Sequence, residues 1–420
     1  MFKRSFLSLA ILFIAIILFT SCSYARQSEQ SGVVTIRLSG WSNLNEKQLL
    51  QKVLRDFEAK HPHIKMQYEA IADEYMDVLK TRLIGGTAAD VFYLEAFAAP
   101  EIMLPGVLEP LNSYITESFN LVDFYPQFLQ AFEKDEKIYG LPKDYSTLAL
   151  FYNKKAFRFV GLSQPPQTWT QLREYARKLT IDKNRDGRPE QYGFGLVPEL
   201  ARQVFVIEAF GGELTNSNGE VTFASPESLK GLQLLVDQYR LDKSAAQPSD
   251  VGTNSAGEMF GQEKVAMVID GPWLIPYLKQ TFPQLEYATA EVPTINSKKG
   301  TMAYTVAYVM NHQSKHKAAA WELISYLTGR EGMKAWTNQG SVFPTRKSVT
   351  NALQYNKNPL YSPFISAVEY ATIWQLNEKL PIILNNFNNQ FISAIIGEQP
   401  LETAMKQAQK TANKEIALSK

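Results

Sequence analysis

The 420-residue chain contains a single cysteine, Cys22, so no disulfide can form within it. Histidine is nearly as scarce. The four present, His61, His63, His312 and His316, have no cysteine within ligand spacing and read as surface and loop residues rather than a transition-metal site. An excess of one charge is lacking too: 43 Lys and Arg against 42 Asp and Glu leave a formal net charge of +1, too little to draw nucleic acid or an acidic lipid surface. Motifs that carry chemistry are also missing. The segment GGTAAD from Gly85 lacks the Lys and Ser/Thr of a phosphate-cradling loop, no G-x-G-x-x-G follows a strand pattern, and no G-x-S-x-G nucleophile motif occurs. Nucleotide chemistry and serine hydrolysis therefore have no support. No catalytic residue and no cofactor is expected.

What is present begins at the N-terminus, where Lys3 and Arg4 precede the apolar run FLSLAILFIAIILF, which ends at Thr20, Ser21 and Cys22. Roughly 14 apolar residues fall short of the ~20 that span a bilayer, and the basic head and small-residue tail match a secretion signal over residues 1–21. Cys22 resembles the lipobox cysteine of bacterial lipoproteins, although Phe19 stands where a leucine is usual. Lipidation there would tether the protein to the outer side of a bacterial membrane, at the cell surface or facing the periplasm. Residues 22–32, small and polar, read as a flexible tether.

From Val33 the pattern turns globular, with too many residues for one core. VTIRLSGW alternates as a strand, NEKQLLQKVLRDFEAKHPHI has helical apolar spacing, and the strand KMQYEAI follows. A helix around DEYMDVLKTRLIGG is stopped by Gly85 and Gly86, and a buried strand starts at Ala89. Such alternation predicts an α/β fold with a mixed, mainly parallel sheet flanked by helices. Ligands of open sheets sit beyond the strand C-termini, which singles out Trp41, Ser42, Glu95 and Phe97.

Four further segments follow in order: KIYGLPKDYSTLALFYNKKAF, PPQTWTQLREYARKLT, GQEKVAMVIDGPWLI and YTVAYVMNHQSKHKAAAWELISYLTGREG. Together they resemble the bacterial extracellular solute-binding proteins of sugar importers, from about Val33 to about Ala408. The resemblance implies a two-lobe fold of the type II periplasmic-binding class, with a ligand cleft between the lobes. Residues 33–145 plus 304–345 would form the first lobe and 146–303 plus 346–420 the second, with hinge crossings near Asp144, Ala303 and Phe343. It implies a monomer that binds a carbohydrate, delivers it to the permease of an ABC transporter, and catalyses nothing. Two alternatives stay open: a ligand sensor for a signalling partner, and an extracellular glycoside hydrolase using cleft carboxylates.

Site residues follow from the same resemblance. The first crossing would place Ser146 against the ligand, with Asp144 and Tyr145 beside it. Trp273 emerges from the strand VAMVI after a Gly-Pro break, where the family stacks a tryptophan on a sugar ring. A pyranose has an apolar C–H face and a hydroxyl rim, so an aromatic plate with amides and carboxylates around it is the matching surface. Glu199 aligns with an acidic contact, but Ala201 replaces the aromatic that accompanies it. Leu94, Phe97 and Ala98 depart from the malto-oligosaccharide contact set, and Leu384 and Asn385 replace a stacking aromatic pair, leaving Trp374 and Asn385 as cleft candidates. Thr168 and Gln171 read as a capping box ahead of a packed Trp169. Asp182, Asn184, Asp186 and Glu190 have the alternating spacing of a calcium loop, yet Gly193 stands where the bidentate glutamate belongs.

Overall fold

The computed structural model describes residues 32–104 and 106–418; the signal segment, Cys22 and nearly all of the tether lie outside them. Among the described residues no helix is long and apolar enough to cross a membrane.

The first sheet grows from three parallel strands, β1 (Val34–Gly40), β2 (Ile64–Ala70) and β3 (Val91–Glu95), with β1 between the other two. The helix Leu44–Lys60 connects β1 to β2. Asn43 caps it: its Oδ1 accepts from Glu46 N at 3.0 Å, while Glu46 Oε2 accepts from Asn43 N at 3.1 Å. Leu50, Val53, Leu54 and Phe57 line one helical face, buried against the sheet. Gly40 ends β1 where a Cβ would lie 2.5 Å from the Tyr93 ring, so only glycine lets that ring cross the strand.

Two long strands complete this sheet in the antiparallel sense: β4 (Gly140–Thr147) and β10 (Thr301–Met310) pair with each other, and β10 pairs with β3. The first residues of β10 also pair, in parallel, with β11 (Ala371–Ile373). The second sheet runs β9 (Tyr287–Ala290), β5 (Ala149–Asn153), β8 (Met267–Asp270), β6 (Phe194–Gly195), β7 (Ala245–Ala246). Within it β5 is antiparallel to both neighbours, and the other pairings are parallel.

Chain passage between the sheets is visible in the cores. Leu141 belongs to the core under the first sheet, whereas Leu150, ten residues beyond Gly140, belongs to the core under the second. Along β10 the order reverses, with Met302 in the second core and Ala307–Met310 in the first. A third apolar cluster sits at the junction and holds Phe128, Tyr145, Ala303, Phe343 and Phe364. Trp169 is 4 % exposed in the second core, and Thr168 Oγ1 accepts from Gln171 N as a cap should. The expected box does not close: Gln171 Oε1 takes the N–H of Gln167, one residue before the cap.

Candidate ligand-binding cleft

Segments that follow β1 in the first sheet and β8 in the second line one cavity, while Trp41, Ser42, Glu95 and Phe97 lie outside its lining. On the first-lobe side, Trp41 leaves β1 half-buried, its indole edge-on to Tyr75 at 5.1 Å and Tyr93 at 5.2 Å. Ser42 Oγ accepts from the Tyr68 hydroxyl at 3.1 Å and keeps its own proton free to donate. Glu95 closes β3. Burial pushes its carboxyl up to about 7, and among the described residues no side chain donates a hydrogen bond to it. Phe97, two residues on, is half-buried and packs against the cores of both lobes.

On the opposite side β8 ends at Asp270, whose Oδ1 accepts from Gly271 N at 2.8 Å and Arg202 Nη1 at 3.2 Å. The chain then breaks at Gly271 and Pro272 and restarts as the helix Leu274–Thr281. Gly271 is obligatory here because the Trp273 indole folds back over it, and a Cβ would meet that ring at 2.3 Å. The half-buried indole lies edge-on to Tyr304 at 6.2 Å, and the Tyr304 hydroxyl donates to Ala201 O at 2.8 Å. Tyr304 thus packs against the tryptophan, and the Asp270–Arg202 pair fixes the strand end ahead of it. These three, like the amides described next, were not singled out from sequence.

The cavity itself, about 340 Å³, is lined by Asn43–Glu46 from the first lobe and by Trp273, Pro276, Tyr277 and Gln280 from the second, with Gln339 and Ser341 at its edge. Its size and mixed lining suit a small polar ligand. Asn45 Nδ2 donates to Gln280 Oε1 at 3.0 Å across its mouth. Wider hollows of about 490 and 860 Å³ occur elsewhere, but their linings lie wholly between Thr168 and Ser297, without first-sheet residues.

Other residues expected at the site have different surroundings. Asp144 is 3 % exposed: its carboxylate pairs with Lys143, and its Oδ2 accepts from Trp336 Nε1 at 2.6 Å. Tyr145 is fully buried and stacked on Phe128 at 4.6 Å. The structure turns both inward, into packing. Ser146, 4 % exposed, lies opposite Tyr304 in the strand register. Glu199 is exposed beside Arg202, 3.6 Å from its Nε, and Asn385 is exposed on the helix Leu380–Ile396. Trp374 is buried, its backbone N donating to Ala303 O at 2.7 Å.

The acidic loop closes on itself. Asp182 accepts from Gly187 N, Asn184 from Asp186 N, Asp186 from Arg188 N and Glu190 from Lys183 N, at 2.8–3.1 Å. A glutamate at position 193 is sterically impossible in this backbone, since a Cβ there would lie 2.0 Å from the Ala176 carbonyl oxygen. The loop is a hydrogen-bonded turn.

Two α/β lobes meeting over an aromatic and amide-lined cavity define a two-lobe binding protein. The pattern of the bacterial extracellular solute-binding proteins matches residues 41–334, and the chain belongs to that family. A Brucella abortus protein named as a binding protein is 27% identical over 366 residues, 85% of this chain and 87% of its own. The maltotriose-binding protein of Pyrococcus abyssi is 25% identical over 360 residues, 83% of this chain and 74% of its own. Among solved structures, an ABC substrate-binding protein of Listeria monocytogenes in complex with cycloalternan superposes with a TM-score of 0.82 at 24% identity, covering 92% of this chain and 99% of that one.

Proposed function

We infer that this protein captures a carbohydrate between its lobes and hands it to the permease of an ABC importer, without catalysing a reaction. The observation that carries the reading is Trp273: an indole just past a strand end, in the wall of a cavity that is also lined by Tyr277 and by the amide-bearing Asn43, Asn45, Gln280 and Gln339. A plate with planar donors and acceptors around it fits a sugar's apolar face and hydroxyl rim. The Pyrococcus relative, named for maltotriose, supports the same class. Glu95 supplies a desolvated acceptor that a sugar hydroxyl would satisfy.

The lobes are assigned as 33–145 plus 304–345 and 146–303 plus 346–420, and the exchange of cores along β4–β5 and β10 supports crossings near Asp144 and Ala303. A lipid on Cys22 would hold the monomeric protein to the membrane while the tether lets it reach the permease. Ligand touching both lobes favours the closed form by the difference in its affinity for closed and open states. A thermal-shift and calorimetric screen of mono- and oligosaccharides tests the reading. At a hundredfold excess over its Kd a true ligand stabilises the fold by about 2.7 kcal/mol. Absence of a shift with every carbohydrate would overturn it.

A further inference from the structure

At the far end of the first sheet from the cleft, His61, His63 and Glu322 bring three ligand atoms within 4.8 Å of one another, and among the described residues they are the one such group. His61 Nδ1 lies 2.7 Å from Glu322 Oε2, and His63 Nε2 lies 3.2 Å from the same oxygen. We propose that these three side chains form a surface site for a divalent transition ion of the zinc class.

The donor set and the spacing carry this. Two imidazoles and one carboxylate are the borderline nitrogen and oxygen ligands that zinc-like ions take, whereas calcium and magnesium prefer oxygen alone. Metal–ligand distances of about 2.0–2.1 Å in a tetrahedron put neighbouring ligand atoms about 3.3 Å apart, close to the separations observed. An ion can enter with a small outward turn of the carboxylate. A fourth position remains for water, because His61, His63 and Glu322 keep side-chain exposures of 26%, 53% and 36%.

The ligands are also held in place. His61 caps the helix Leu44–Lys60, its backbone N–H donating to Phe57 O, and its ring stacks on Phe57 at 4.4 Å. Pro62 stiffens the link to His63, whose carbonyl accepts from Val34 N at 2.8 Å. Glu322 projects from the helix Lys317–Leu327, which packs on the same sheet. Sequence reading missed the group because it sought cysteine partners nearby, and Glu322 is 261 residues from His61.

The placement separates this site from the cleft. Strand β1 starts beside His63 and needs all seven residues, roughly 20 Å at strand rise, to reach Trp41. Metal binding should therefore clamp the helix Leu44–Lys60 to the helix Lys317–Leu327 and leave ligand affinity alone. Zinc titrated into the full chain, freed of chelator, should bind at one ion per chain and raise the melting temperature. Cobalt should give the visible bands of a tetrahedral site. His63→Ala and Glu322→Gln should each weaken zinc binding roughly tenfold or more, while cleft ligand affinity and the zinc-free melt stay unchanged. Magnesium at the same concentration should do nothing. No zinc-induced shift in the unsubstituted chain, or unchanged zinc binding in both variants, would overturn the proposal and leave only imidazole–carboxylate contacts.

Discussion

Asn45 donates its side-chain N–H to Gln280 Oε1 at 3.0 Å, and this bond joins the N-terminal turn of a first-lobe helix to the C-terminal turn of a second-lobe helix. Both side chains are exposed, so water competes for the bond and its net contribution is about 0.5–1.5 kcal/mol. Asn45→Ala with Gln280→Ala should therefore shift the lobes toward the open state and weaken ligand binding a few-fold. Solution scattering of the ligand-free double variant should show a larger radius of gyration. An unchanged radius would mean that the bond does not bias closure.

Trp273→Ala removes the indole from the cavity wall and leaves Tyr277, Gly271, Asp270 and Arg202 in place. Sugar affinity should fall at least tenfold, roughly 1.4 kcal/mol, with a small change in melting temperature. Calorimetry and thermal melts on the same sample check both halves. Normal binding with a much lower melting temperature would make the indole a packing residue.

Glu95 predicts a pH dependence. Its carboxyl, ordinarily near 4.5, is pushed up to about 7 by burial, so the native state holds its proton where the unfolded chain has released it. The contribution of Glu95 to ligand-free stability should be fully present below about 4.5 and be lost as pH rises through about 7, by up to ~3 kcal/mol. Glu95→Gln should flatten that slope. Hydroxyls donated by a bound sugar favour the ionised form, so binding should release a proton and tighten between pH 5.5 and 8. A flat affinity profile in the unsubstituted protein would remove Glu95 from the contact set.

Asp144→Ala should act on stability and spare the ligand. Lys143 sits 4.6 Å from the Tyr93 ring and 4.3 Å from the Trp336 ring, and Asp144 is its buried counter-charge. Removing that carboxylate strands the ammonium and frees the Trp336 N–H, at a cost of about 3–5 kcal/mol. Melting should drop by several degrees. Ligand affinity should change less than threefold. A large loss of affinity in a variant that melts normally would return Asp144 to the cleft.

Much of the fold was legible because its signals are local. The helix Leu44–Lys60 shows its buried stripe at Leu50, Val53, Leu54 and Phe57, and β1 ends at the glycine that the Tyr93 ring requires. The break at Gly271 and Pro272 marked Trp273 as a residue leaving a strand end, and the structure puts it at the cavity wall. Gly193 sits where the backbone leaves no room for a side chain, because a Cβ would meet the Ala176 carbonyl oxygen.

By itself, then, the sequence determined the α/β class, the strand ends that could carry a site, and the family, since periodicity, turn chemistry and motif order reside in short segments. Tertiary structure alone decided which way the residues of β4 face, because all eight of its residues are buried and no alternation distinguishes core from cleft. It also decided which distant side chains meet. Asn45 and Gln280 are 235 residues apart, and His63 and Glu322 are 259 apart. Their pairing depends on how helices pack on a completed sheet and how one lobe seats against the other, and no local pattern encodes that geometry.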